Sequence, residues 1–226
     1  MPRVIVFDLI GTLLDLQAMD PHFERFFGDA AVRKEWIVQT VQLAMAAVLT
    51  NAYEDFGVQA DTALEITARR YKVSMLGEEK NLILGTLRKL RPYSEVVKSL
   101  QRLRDAGLRL ATLTNSTAQA AEAQLTYAGL RDHFEQVISA DEVRCFKPAP
   151  EVYHLAARRL NVEPGQVRMV AAHDWDVTGA LRAGCAASFV ARPGQVMNPF
   201  GPQPDMKGTD LDEVADQILA IELTRG

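Results

Sequence analysis

Cysteine is nearly absent: the 226 residues contain two, Cys145 and Cys185. Two thiols make no disulfide framework, and each reads as a small buried apolar residue rather than a reactive group. Met1-Pro2-Arg3 runs straight into a short apolar stretch, which is not the pattern of a secretory leader, so a reducing cytoplasm is the expected compartment. Long apolar runs are missing as well, and none approaches the roughly 20 residues a membrane span needs. No block of one charge sign occurs; 25 Lys and Arg are interspersed with 29 Asp and Glu, for a net charge of -4. That argues against nucleic acid and against a membrane surface as partners, and an anionic substrate would need a local positive site. Internal repeats and low-complexity tracts are also lacking. The oligomeric state, monomer or homodimer, stays open.

What is present is an alternation of strand and helix signals. Val4-Ile5-Val6-Phe7 is a continuous apolar run, as a strand buried on both faces requires. It stops at Asp8, and Gly11-Thr12 follows as a turn. From about Asp15 to Leu90 the texture is helical, with Trp36, Ile37, Val41, Ala44, Met45 and Val48 at spacings of three and four. Leu64, Ile66, Ala68 and Tyr71 mark a second helix, and Leu82, Ile83, Leu87 and Leu90 a third. After Arg91-Pro92 strands and helices alternate. Ser94 reads as an N-cap, Leu108–Leu113 as a strand ending at Thr114-Asn115, Val137-Ile138 as a short strand, and Val167–Ala172 and Ala187–Ala191 as two more. Helices are expected over Ala118–Ala128, Val152–Leu160, Val177–Ala183 and Leu211–Leu223. Arg192–Gly208, rich in Pro and Gly, reads as a loop over the core. The expected fold is α/β: a Rossmann-like parallel sheet flanked by helices (1–14 and 91–226) with an all-helical cap domain (15–90).

Ligands of such sheets bind at the carboxyl ends of the strands. The polar residues at those exits are Asp8, Thr114-Asn115 and His173-Asp174-Trp175-Asp176, with Lys147 on a loop in the same half. A carboxylate at a buried strand end, beside a glycine turn, can attack an electrophile from a fixed position. The same residue can also simply cap a turn. Thr114 can donate to an anionic group or be a turn residue, and Lys147 can hold Asp8 ionised or be a solvated surface lysine. Asp176 reads as an N-cap of the next helix, a position from which it could also orient water.

Taken in order, Asp8, Thr114, Lys147 and Asp176 resemble the motif set of the haloacid-dehalogenase superfamily over nearly the whole chain. The runs Val170–Ala180 and Phe146-Lys147-Pro148-Ala149-Pro150-Glu151-Val152-Tyr153 are similar to its type II 2-haloacid dehalogenase branch. The resemblance implies Asp8 as a nucleophile that becomes transiently esterified, Lys147 as its counter-ion, Thr114 and Asn115 with backbone groups of Leu9 and Ile10 as binders of a substrate carboxylate, and a water activated near Asp176. Trp175, Tyr153 and Ile37 would shape the pocket. No metal and no cofactor is implied, and the partner is a small 2-substituted carboxylic acid.

Two departures from the branch bear on the substrate. Phosphatases of the superfamily carry an acid two residues after the nucleophile; here Ile10 cannot donate a proton, so a Mg²⁺-dependent phosphatase is disfavoured. The type II branch carries an Arg beside a cap-helix Trp to receive halide; here Ile37 follows Trp36, and Arg33 lies one turn away. His173, whose type titrates near neutrality, replaces an Asn of that branch, and Ala171 a Ser. Three readings therefore stand: hydrolysis of a C–X bond at C2, either dehalogenation or the C–N ring-opening known for L-azetidine-2-carboxylate; a phosphatase; or a catalytically silent binding protein.

Overall fold

The computed structural model describes residues 3–225; Met1, Pro2 and Gly226, the outermost residues of the expected core span, lie outside the described residues. Strands β1 (Val4–Phe7), β2 (Leu110–Thr114), β3 (Gln136–Ser139), β4 (Val167–Ala171), β5 (Ala186–Val190) and β6 (Met206–Gly208) form one parallel sheet in the order β3-β2-β1-β4-β5-β6. Helices α1 (Asp20–Phe27), α2 (Val32–Leu49), α3 (Phe56–Arg70) and α4 (Gly77–Leu87) follow β1 in sequence; α5 (Val96–Asp105), α6 (Ala118–Tyr127), α7 (Pro150–Leu160), α8 (Asp174–Arg182) and α9 (Leu211–Glu222) alternate with the remaining strands.

Successive residues of a strand face opposite sides, and the apolar runs fill both. Ile5, Phe7 and Val170 pack into a core with Leu100 and Leu103 of α5 and with Val214 and Ile218 of α9. Val4, Val6, Met169 and Ala171 pack into another with Val152 and Ala156 of α7 and with Val177 and Ala180 of α8. A third, smaller cluster joins Ala44 and Ala47 of α2 to Phe146. This seam seats the residue before Lys147 beneath the helical segment, where Phe146 stacks on Tyr53 at 4.9 Å between ring centroids. The chain leaves for the helical segment and returns from it through paired backbone: Asp15 N–H donates to Arg91 O at 2.8 Å and Tyr93 N–H to Leu13 O at 3.1 Å.

The strand order reverses between β1 and β4, where connections leave to opposite sides and a crevice opens at the carboxyl ends. Phe7 is level with Thr112 of β2 and Val170 of β4. Asp8, the residues after Thr114 and those after Ala171 therefore emerge together.

Three local expectations are corrected. The cap of α5 is Glu95, one residue beyond Ser94. The cap of α8 is His173, so the helix starts at Asp174 and Asp176 sits in its first turn rather than at the cap. The expected loop Arg192–Gly208 ends in β6. Buried Arg168 of β4 grips Asp205, just before β6, with two hydrogen bonds of 2.6 and 2.9 Å, and that anchor holds a three-residue strand against the sheet edge. Among the described residues no helix is long and apolar enough to cross a membrane.

Candidate active site

Asp8 leaves β1 into a tight turn. Gly11 takes φ +81°, a conformation that side chains disfavour, and a Cβ there would meet the His173 ring at 3.0 Å. The turn brings Thr12 back over the carboxylate. Thr12 Oγ1 donates to Asp8 Oδ2 at 2.6 Å and accepts from the Ala172 N–H at 2.9 Å, which ties the β1 exit to the β4 exit. Lys147 Nζ donates to Asp8 Oδ1 at 2.8 Å and to Asp176 Oδ2 at 2.7 Å. Tyr153 Oη donates to Asp176 Oδ1 at 2.7 Å. Close packing permits this last contact, because a Cβ on Gly179 would lie 2.5 Å from the Tyr153 hydroxyl. Asn115 Oδ1 accepts from the Lys147 N–H at 2.9 Å, so what Asn115 has left to offer a ligand is the donor Nδ2.

Two carboxylates and one ammonium are thus buried within hydrogen-bond reach, and their titration follows. Burial pushes the Asp8 carboxyl up, but the charges of Lys147 and His173 and the hydrogen bonds from Lys147 and Thr12 outweigh it and leave Asp8 below the usual carboxylate value. Burial also disfavours the charged form of Lys147, and the two carboxylates overcome it, so the lysine lies above its ordinary value. Asp176 comes out raised: its burial is complete, and the charge of Asp8 adds to what Lys147 and Tyr153 offset only in part. The outcome is an ionised Asp8 held at the edge of solvent, 5% exposed, in front of a fully buried Lys147–Asp176–Tyr153 support.

Asp8 opens into a cavity of about 690 Å³ between the sheet edge and the helical segment. Its polar floor is Asp8, Thr114, Asn115, Ser116, His173 and Asp174; its opposite wall is Ile37, Val38, Val41, Met45 and Leu49 of α2. Trp175 lines one side and stacks flat on His173 at 5.1 Å. His173 Nε2 donates to Ile10 O at 3.0 Å and lies 3.6 Å from Asp8 Oδ2. Among the described residues lining the cavity there is no Lys or Arg.

The structure brings most of the expected residues to this place and puts the others elsewhere. Asp8, Ile10, Ile37, Thr114, Asn115, His173 and Trp175 line the cavity. The Leu9 side chain does not: it is fully buried in the core and its carbonyl closes the turn by accepting from Leu13 and Leu14, so the binding role expected of Leu9 rests on its backbone N–H alone. Tyr153 lies behind the site rather than in its wall, bonded to Asp176. Asp176 lies behind Lys147, while Asp174 is the α8 carboxylate that reaches the cavity. Arg33 does not reach it either; the guanidinium pairs with Asp20. From the sequence Thr12 reads only as part of a turn. An Asp-x-x-x-Thr spacing across a glycine turn is the signal for a hydroxyl returning to the carboxylate. Ser116, Gln42 and Gln195, also at the cavity, carried no comparable signal.

A divalent cation fits this floor poorly. The side chain two residues after Asp8 is apolar Ile10, its carbonyl accepts from His173, and the two carboxylates nearest it are already bridged by Lys147.

The chain matches the family model of haloacid dehalogenase-like hydrolases over residues 2–184. It is 31% identical to the (S)-2-haloacid dehalogenase of Pseudomonas sp. (strain YL), over 94% of this chain and 92% of that one. It is also 31% identical to (S)-2-haloacid dehalogenase 1 of Pseudomonas sp. (strain CBS-3), over 97% of each. The solved L-2-haloacid dehalogenase from Xanthobacter autotrophicus, with chloropropionic acid covalently bound, superposes with a TM-score of 0.91 at 25% identity, over 98% of this chain and 100% of that one. The matched span takes in the β1 exit with Asp8, the loop that carries Lys147 and the whole of α8, and the chain belongs to the haloacid dehalogenase-like hydrolase family.

Proposed function

We propose that the chain hydrolyses a C–X bond at C2 of a small 2-substituted carboxylic acid through an ester on Asp8. The observation that carries this reading is the ionised Asp8 at the cavity floor, with Lys147 and Thr12 fixing one oxygen each. In the first step an Asp8 oxygen attacks C2, and X leaves with the bonding pair. In the second, water adds to the Asp8 carboxyl carbon and gives one proton to a cavity-lining group such as Asp174; the intermediate collapses to ionised Asp8 and a 2-hydroxy acid whose hydroxyl keeps the other proton, and the first is released to solvent. Splitting one hard displacement into two steps is the gain of covalent catalysis. Asp176 and Tyr153 are positioning residues for Lys147. Asn115, Thr114 and Ser116 supply the neutral donors for the substrate carboxylate. The names of the similar proteins support halide as X.

A second reading of the leaving group rests on one observation: no Lys or Arg among the described residues lines the cavity, and Arg33 is engaged with Asp20. A departing anion in a partly dry cavity needs a cation or several donors, whereas an amine leaving from a strained ring such as L-azetidine-2-carboxylate needs a proton. We further propose a cytoplasmic setting, on two free cysteines of which Cys185 is held by burial up to about 12.

The test is a substrate panel in excess EDTA. The reading predicts release of a 2-hydroxy acid from 2-chloropropionate or from the azetidine acid, with kcat/KM deciding between the leaving groups. Turnover of p-nitrophenyl phosphate alone, and only with Mg²⁺, would overturn it.

A further inference from the structure

Helix α2 is apolar on two faces; the protein buries one and leaves the other half-buried to exposed. Trp36, Thr40, Ala44 and Ala47 form the covered face; Trp36 is anchored there by its Nε1–H, which donates to Ala60 O at 2.9 Å. Ile37, Val38, Val41, Met45, Ala46 and Leu49 form the other face, at spacings that keep them in one stripe, and all six line the cavity. Val38 is 66% exposed and Leu49 86%. A single exposed aliphatic residue needs no explanation, but these are continuous with a cavity that has Asp8 at its other end. Along the helix the stripe runs from Ile37 to Leu49, a rise of about 18 Å at roughly 1.5 Å per residue, several times the length of a three-carbon acid. The volume, about 690 Å³, falls in the range that holds drug-sized ligands, roughly 300–1,000 Å³. From α2 the cavity receives one polar side chain, Gln42, and no charge.

We propose that this stripe is a subsite for an unbranched alkyl chain on C2 of the substrate, of about four to six carbons. The inference rests on the reading of Asp8 chemistry given above and names the substrate class. The floor holds every ionisable group of the cavity lining together with the hydroxyl and amide donors of Thr114, Asn115 and Ser116, so the acid end is fixed there and the C2 substituent runs outward along α2. The occupant is neutral, because a charged tail would lie against aliphatic side chains without a partner. Met45, unbranched and adaptable, sits midway along the stripe, where such a chain would pass.

The experiment has two arms. In the first, kcat/KM is measured for 2-bromopropionate, 2-bromohexanoate and 2-bromooctanoate with the wild type, Val41→Asn and Leu49→Lys. Burying each methylene is expected to raise kcat/KM about three- to fourfold from the propionate through the hexanoate, with the octanoate turned over at least as well as the hexanoate, and each substitution to lower the hexanoate-to-propionate ratio, Val41→Asn about tenfold. A ratio that favours propionate, or one that neither substitution moves, overturns the proposal. In the second arm, calorimetry measures binding of 2-hydroxyhexanoate and lactate to Asp8→Asn. Tighter binding of the longer acid supports the subsite even if no bromo-acid turns over, and it is then the chemistry of Asp8 that has failed. Equal binding rejects the subsite. Sedimentation of wild type and Leu49→Lys covers the remaining occupant: if the substitution splits a dimer and leaves the chain-length ratio unchanged, a second copy of the chain covers the stripe and the proposal is wrong.

Discussion

The floor of the cavity and its α2 wall are built in opposite ways. At the floor and directly behind it, Thr12, Asp8, Lys147, Asp176 and Tyr153 are joined by hydrogen bonds of 2.6 to 2.8 Å, and Lys147 and Asp176 are shut away from solvent. On the wall, Val38 and Leu49 are apolar and stand open. A group bonded on each side cannot move without leaving a buried charge unpaired, so the floor is preorganised for one reaction. A face of aliphatic side chains commits to nothing until a ligand covers it. In the function proposed here, chemistry falls to residues at strand exits and selectivity to α2.

Breaking the floor should have the largest effect. In Lys147→Met two buried carboxylates face each other without their cation, and loss of one partner from a buried ion pair costs about 3–5 kcal/mol. Urea unfolding should show a destabilisation of that size together with loss of turnover; a stability within 1 kcal/mol of wild type would mean that the cluster is solvated. Tyr153→Phe is the next test. It leaves one Asp176 oxygen unpaired, an expected cost of about 1–3 kcal/mol, and the variant should retain its KM while kcat falls, because Tyr153 does not touch the cavity. A raised KM with unchanged kcat would place Tyr153 in the pocket after all.

Acid pH probes the same floor with a definite sign. Asp176 is raised and Asp8 lowered about the ordinary 3.8. As pH falls, Asp176 therefore takes up a proton first, and the interacting pair titrates as a unit. The acid limb of kcat/KM should lie above 3.8 and shift in Asp176→Asn. For stability, the contribution of Asp8 is present above its unfolded value and is lost as pH falls through its depressed folded value, whereas Asp176, being raised, contributes below its unfolded value and loses that as pH rises through the folded one. A limb below 3.8 that Asp176→Asn leaves in place would reverse this assignment. The smallest effect belongs to the wall: Leu49→Ser should change unfolding stability by no more than about 0.5 kcal/mol, as for a surface position without partners. A loss several times larger would show that the wall is packed rather than waiting.

The floor was largely legible in the sequence because each of its members ends a continuous apolar run or sits at a forced backbone position. Val4–Phe7 points to Asp8, Leu108–Leu113 to Thr114, and Pro148 marks the loop that carries Lys147. What escaped is set by tertiary direction. Leu9 adjoins Asp8, yet strand alternation turns its side chain into the core. Tyr153 on an amphipathic helix could have faced the cavity or the core; Gly179, which admits it to Asp176, lies 26 residues further on. Asp176 looked like a cap because His173 is an uncommon one. The short β6 escaped in a Pro- and Gly-rich stretch because its anchor, Arg168, lies 37 residues before Asp205. The wall was the least legible: Val38 and Leu49 belong to an apolar helical pattern that says nothing of which face the protein will leave bare.

The central claim, that Asp8 is esterified, is tested most directly by a single turnover in ¹⁸O-labelled water with enzyme in excess over substrate. The account predicts ¹⁸O in the Asp8 carboxylate, found by mass spectrometry of the peptide that contains it, and unlabelled oxygen in the new hydroxyl of the first product. Labelled product from the first turnover, with Asp8 unlabelled, would mean that water attacks C2 directly and would contradict the account.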